Sequence, residues 1–202
     1  MKIAPAGILH PGNLEAAIDD AIVIAQVTHD NSLAISGACA IAAATSASLA
    51  EKATIEEAIS AGVYGAIRGE TKAKSVSRVV AGASVVERIK LALQIAEGAG
   101  SKEEKLLKLS QIIGSGLHIS EAVPCAFGIA ALNKDSALQA VIDAVNIGYD
   151  TDTIATIVGT MVGAFVDFED KNFLDLYDKV QKANEINLII LADELATAAK
   201  VG

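Results

Sequence analysis

Tryptophan is absent from this chain, and aromatic residues make up only 3% of it. A sheet-based core draws heavily on aromatic and β-branched side chains, so their scarcity works against a β-rich fold. Cysteine is short as well: Cys39 and Cys125 are the only two, each inside an Ala-rich apolar run. That excludes a disulfide framework and any metal site built on cysteine spacing, and it leaves two small buried thiols. Positive charge is in deficit, with 16 Lys and Arg against 25 Asp and Glu, for a net charge of −9 and a pI near 4.8. Nucleic acid and anionic membranes both require a basic face, so neither is expected as the main partner. A phosphorylated small molecule stays compatible, because a metal or a helix N-terminus can offset phosphate locally.

Long apolar runs are lacking too. Leu33–Ala50 is mostly Ala and Ser, and Ile154–Val166 falls short of the roughly 18–20 apolar residues that a membrane span requires. The N-terminus places one Lys before a stretch holding Pro5 and Pro11, which is not the apolar core of a leader peptide. The expectation is a soluble, cytoplasmic protein.

What the chain does have is small aliphatic residues at helical spacing. Of its 202 residues, 52% are hydrophobic, chiefly Ala, Ile, Leu and Val, and Gly adds 16 more. The pattern predicts an all-α fold: a single domain over residues 1–202 with nine or ten helices. An irregular start, Ile3 to Gly12, precedes a helix whose apolar face is Leu14, Ile18, Ala21, Ile22 and Ala25. Asp19 and Asp20 fall on its solvated face, and His10 has no assigned role. Leu33 to Leu49 forms a second helix, dense in Ala, Gly and Ser, that admits a close neighbour.

Thr54 with Glu57 is a capping box opening a third helix toward Arg68, and Gly69 to Ala73 reads as a break. A longer helix is then expected from Ser75 to Ala96, closed by Gly98 and Gly100. A second capping box, Ser101 with Glu104, opens a short helix to Ile113 that ends at Gly114-Ser115-Gly116. Further helices are expected at Ser120–Leu132, Ser136–Ile147, Thr153–Phe168, Phe173–Lys182 and Ile186–Ala199.

The richest local chemistry lies at Gly148-Tyr149-Asp150-Thr151-Asp152-Thr153, where a glycine-containing turn meets an apolar helix. Asp150 and Asp152 supply hard anionic oxygens of the kind Mg²⁺ or Ca²⁺ prefers, and Thr153 adds a neutral one. A helix start favours such carboxylates electrostatically. The plain alternative is that Asp152 merely caps the helix. Ile154, Ile157, Val158, Met161, Val162 and Phe165 form the apolar stripe of that helix. Ala155, Gly159 and Gly163 form a small-residue ridge, predicting a backbone pressed close and a central position. Elsewhere, Thr28-His29-Asp30-Asn31 occupies a polar turn. His118 reads as structural, and Glu121 falls in the first turn of its helix.

Four segments in order, Met1-Lys2-Ile3-Ala4-Pro5, Thr28-His29-Asp30-Asn31, Glu121-Ala122-Val123-Pro124 and Gly148 to Ala155, resemble the ADP-ribosylglycohydrolase family. The likeness extends over essentially the whole chain, and the last segment, with Gly159 and Gly163-Ala164 after it, is its strongest part. The resemblance implies a hydrolase with a two-Mg²⁺ centre that cleaves the bond between ADP-ribose and a protein side chain or small acceptor. It implies Asp150, Asp152 and Thr153 as metal ligands, the two aspartates acting in catalysis, with His29 and Tyr149 lining the substrate pocket. The family's other ligands, a Thr-Asp-Asp motif and a Gly-Asp-Ala-type loop, and its glycine-rich phosphate loop have no match, and Lys2 stands where Arg is usual. By that comparison the chain begins inside the family's fold and carries part of the ligand set. A complementing N-terminal polypeptide or a homo-oligomer is therefore expected. The alternatives are a non-catalytic ADP-ribose-binding module and a helical assembly module.

Overall fold

Side-chain caps set where most helices of this chain begin. A computed structural model describes residues 2–199, and in it α2 (Leu14–His29), α3 (Ser32–Ser48), α4 (Ile55–Val76) and α5 (Val85–Glu97) start behind Asn13, Asn31, Thr54 and Ser84. Each of those side chains accepts a backbone N–H of the first turn, which typically stabilises a helix by about 1 kcal/mol. Both sequence-predicted capping boxes form: Glu57 accepts the Thr54 amide at 2.9 Å, and Glu104 accepts the Ser101 amide at 3.0 Å. The second opens α6 (Lys102–Lys108), which continues as a wider turn to Ile113.

The remaining helices are α1 (Ala4–Ile8) before α2, then α7 (Ile119–Leu132), α8 (Ala137–Asn146), α9 (Thr151–Val162), α10 (Lys171–Asn184) and α11 (Leu188–Ala199). Eleven helices and no strand occur among the described residues, so the all-α expectation holds. None of these helices is long and apolar enough to cross a membrane.

Helix α3 is the hub. It packs against α1, α2, α4, α7 and α9 and buries most of its length. Small residues make this possible, because Gly65 of α4 lies directly on the α3 backbone at Cys39, and Gly69 lies on the Cys39 side chain and the Ile35 carbonyl. A Cβ at Gly69 would stand 2.7 Å from the Cys39 Cβ, closer than real contacts allow. Phe127 of α7 is fully buried against Gly62, filling the space beside that seam.

Several expectations fail here, each for an identifiable reason. The first segment is not irregular: Pro5 sits in the first turn of α1, where no N–H is needed. Gly69 to Ala73 is no break, since the glycine serves helix packing and α4 runs on to Val76. The helix expected from Ser75 starts instead at Val85, after an extended loop over residues 77–84. There Ser32 donates its amide to the Arg78 carbonyl at 2.9 Å. Helix α9 ends at Val162 in a tight turn over Gly163–Phe165 rather than at Phe168.

The ridge on α9 meets no backbone: Gly159 has Val141 Cγ2 3.8 Å from its ideal Cβ, and Gly163 has nothing within 4 Å. Close backbone approach belongs to α3 and α4. The predicted stripe of α9 is nonetheless buried from Ile154 to Val162, against α7, α8 and α3.

Candidate functional site

Helix α9 begins where the chain leaves two successive left-handed residues, Gly148 (φ +89°) and Tyr149 (φ +63°). Tyrosine pays a steric penalty in that region that glycine does not. Asp150 follows as the N-cap, yet its carboxylate makes no capping bond to a backbone amide. Its Oδ1 instead accepts the hydroxyl proton of Thr153 at 3.0 Å. Asp152 is not the cap. It lies exposed in the first turn, and its carbonyl accepts from Thr156 Oγ1.

Two carboxylates and a hydroxyl thus sit at one helix start with no backbone cap consuming them. Among the described residues, no three His, Cys, Asp or Glu side chains converge as a complete metal cage. The oxygens of Asp150, Asp152 and Thr153 nevertheless fit a hard divalent cation by donor type, as a partial set.

The main chain of this junction is tied to the loop preceding α7. The Asp150 amide donates to Ser115 O at 3.0 Å, and the Tyr149 ring lies against Gly116. Tyr149 itself is 81% exposed. His118 caps α7 through Nδ1, which accepts the Ser120 amide, so its structural reading holds. Glu121 is in the first turn of α7 as expected, and its Oε2 accepts the Gly116 amide at 3.2 Å.

His29 closes α2, exposed, with Nδ1 2.8 Å from its neighbour Thr28 Oγ1. No hydrogen bond among the described residues joins it to Asp150 or Asp152. Its turn leads straight into α3, however, and Gly37 of α3 faces Ile119 and Val123 of α7. The N-terminal halves of α3 and α7 therefore lie together, next to the loop that holds Asp150. In the same turn Asp30 Oδ1 is buried without a hydrogen-bond partner among the described residues. A buried carboxylate oxygen without a donor is costly to the fold.

Other polar groups do structural work. Asp19 pairs with Lys72 at 2.6 Å, and Asp20 with His10 at 2.7 Å, so the two outward carboxylates are partly used and His10 has a partner. Glu15 accepts from Arg68, Tyr64 and Lys72, and those bonds hold its carboxyl down at about 2. Asp143 is only 8% exposed. Burial pushes its carboxyl up, but hydrogen bonds from Lys102, Gln139 and Asn133 outweigh this and hold it below the ordinary range. Both cysteines are buried, and burial pushes their thiols up to about 12, which keeps them unreactive.

Sequence reading missed Arg88, Ser115 and Gly116. Pro124 gave the available signal. It lacks the N–H that would bond Ser120 O in the helix, and Arg88 Nη1 supplies that donor at 3.0 Å. The same nitrogen donates to Ile113 O at 3.0 Å, so Arg88 grips both ends of the loop.

Comparison with known proteins agrees with the order of these segments. The family model described as ADP-ribosylglycohydrolase matches residues 1–201. The chain is 31% identical over 165 residues to the uncharacterized protein YegU of Escherichia coli K12, covering 81% of this chain and 48% of that protein. It is 29% identical over 167 residues to an uncharacterized protein of Archaeoglobus fulgidus, covering 81% of this chain and 47% of that protein. It thus spans about half the length of the curated relatives it matches.

Proposed function

Since the chain belongs to the ADP-ribosylglycohydrolase family, we propose that it carries part of a Mg²⁺-dependent hydrolase site for an N- or O-glycosidic bond to ADP-ribose. The substrate is then an ADP-ribosylated protein or small molecule. The observation that carries this reading is the head of α9. Asp150 spends its carboxylate on Thr153 rather than on the helix amides, and Asp152 stands exposed beside it.

Asp150, Asp152 and Thr153 are the residues that would hold Mg²⁺. An octahedral ion demands more oxygens than these three, so water or further donors would have to complete the set. Bound there, the ion would supply Lewis acidity and a template for ribose hydroxyls and water. The chain's own part is positioning. The buried stripe of α9 keeps its first turn rigid, and a rigid element is where a ligand set belongs. His29 and Tyr149, both exposed, are the candidates for contact with the ribose-phosphate portion.

One observation favours a second reading, an ADP-ribose-binding or helical assembly module without catalysis. Helices α10 and α11 bury none of their described residues and expose Leu174, Ile189, Ile190 and Leu191, as an assembly surface would.

Calorimetric titration with Mg²⁺ and then ADP-ribose separates these readings. The hydrolase reading expects binding of both, with Mg²⁺ affinity about tenfold or more weaker in Asp152→Ala. ADP-ribose binding without Mg²⁺ supports the reader, and binding of neither supports the assembly module. An Asp152→Ala protein with unchanged Mg²⁺ affinity refutes the ligand assignment.

A further inference from the structure

Asp150 follows two left-handed residues, and the hydrogen bond that ties its main chain to the rest of the fold is the one to Ser115 O. The aim of its side chain therefore depends on the 114–118 loop, and something must hold that loop in turn. Arg88 grips the carbonyls of Ile113 and Ser120 at its two ends. At its centre, the Gly116 amide donates to Glu121 Oε2 at 3.2 Å.

Glu121 behaves unlike the two capping-box carboxylates at the same helix position, and unlike Glu87 of α5, which turns to Lys90. Glu57 and Glu104 are third residues of their helices and fold back onto the amide of the N-cap, two closed capping boxes. Glu121 is also third in its helix, yet it bypasses His118 and reaches Gly116 two residues further back. The loop is shaped around it. A Cβ at Gly114 would come within 2.8 Å of Glu121 Oε2, and one at Gly116 within 2.6 Å. Gly114 also needs its glycine for φ +89°.

We infer that Glu121 is a positioning residue for the candidate cation site: its carboxylate fixes the 114–118 loop, and through Ser115 that loop sets the main chain of Asp150. The part of this inference that concerns the cation rests on the reading of Asp150 as a ligand, whereas the conformational part does not.

Three substitutions separate hydrogen bonding from a general electrostatic role at the start of α7. Glu121→Gln keeps an acceptor of the right length and loses the charge. Glu121→Asp keeps the charge and is one methylene short of Gly116. Glu121→Ala loses both. The readouts are amide hydrogen exchange at Asp150, with α3 amides as internal control, and Mn²⁺ affinity by calorimetry. Glu121→Ala and Glu121→Asp are expected to speed Asp150 exchange about tenfold or more relative to the control and to weaken Mn²⁺ binding, while Glu121→Gln stays close to the parent.

Unchanged Asp150 exchange in Glu121→Asp overturns the inference. So does a Gln protein that behaves like Ala, because the carboxylate would then act through its charge on the helix alone. If the parent protein binds no Mn²⁺, the ligand reading fails by itself, and the exchange data still decide whether Glu121 sets the Asp150 main chain.

Discussion

At the start of α9 one carboxylate has two possible uses, the free amides of its own helix or the hydroxyl of Thr153. Asp150 takes the second. A cap would have stabilised the helix by about 1 kcal/mol, so this arrangement forgoes local stability and leaves oxygen available outward. The residue before it carries a cost of its own. Tyr149 is left-handed and largely exposed, so its side chain returns little packing for that strain. Tyr149→Gly is expected to stabilise the fold by up to about 1 kcal/mol in chemical denaturation, while weakening ADP-ribose binding if the ring contacts substrate. The acidic residues of this junction were legible in the sequence, because carboxylates and hydroxyls crowded at a helix start are visible as letters. Asp150 and not Asp152 being the N-cap was not legible, since helix starts shift by a residue or two with no change in pattern.

At the scale of elements, hydrogen-bonding signals in the sequence were trustworthy and glycine signals were ambiguous. Both capping boxes form because each needs only residues within a single turn. Glycine, by contrast, can end a helix or let two helices touch. The sequence pattern at Gly69 suggests a break where the structure has a packing contact, and the pattern at Gly159 and Gly163 suggests a packing ridge where no backbone lies alongside. The difference lies in which helix comes alongside, and that is settled by tertiary structure. Gly65→Ala provides the test for the α3–α4 seam. Its new methyl group would run into the Cys39 carbonyl and stand 2.6 Å from Ala43 Cβ. A loss of about 1–3 kcal/mol is expected in urea denaturation, whereas Gly163→Ala, in open space, should lose nothing by packing.

Across the whole molecule the chain is acidic, at −9, and part of that charge is neutralised where helices meet. Glu15 on α2 collects Arg68, Tyr64 and Lys72 from α4, and its carboxyl is held well below the usual 4.5, at about 2. Protonating it is harder in the folded chain, so its contribution is complete above pH 4.5 and lost as the pH falls toward about 2. The network is close to half-exposed, so the effect should be small. Thermal melts of the parent and Glu15→Gln should differ at neutral pH and converge through that acid window, and a gap widening on acidification would contradict the pairing. The all-α architecture was legible at this scale because composition and periodicity act over the entire chain. The meeting of the α7 loop with the head of α9 was not, since the partners lie far apart in sequence and no local pattern encodes Asp150 bonding to Ser115.

The proposed divalent cation would sit at the head of α9, held by Asp150, Asp152 and Thr153. Paramagnetic broadening by Mn²⁺ at low stoichiometry reads this directly from the amide resonances of the intact chain. Tyr149 to Thr153 should broaden first, with Ser115 and Gly116 next, and Asp150→Asn should abolish the pattern. Broadening centred on other acidic positions such as Asp19 or Glu169, or spread evenly over the surface and unchanged in Asp150→Asn, would contradict it.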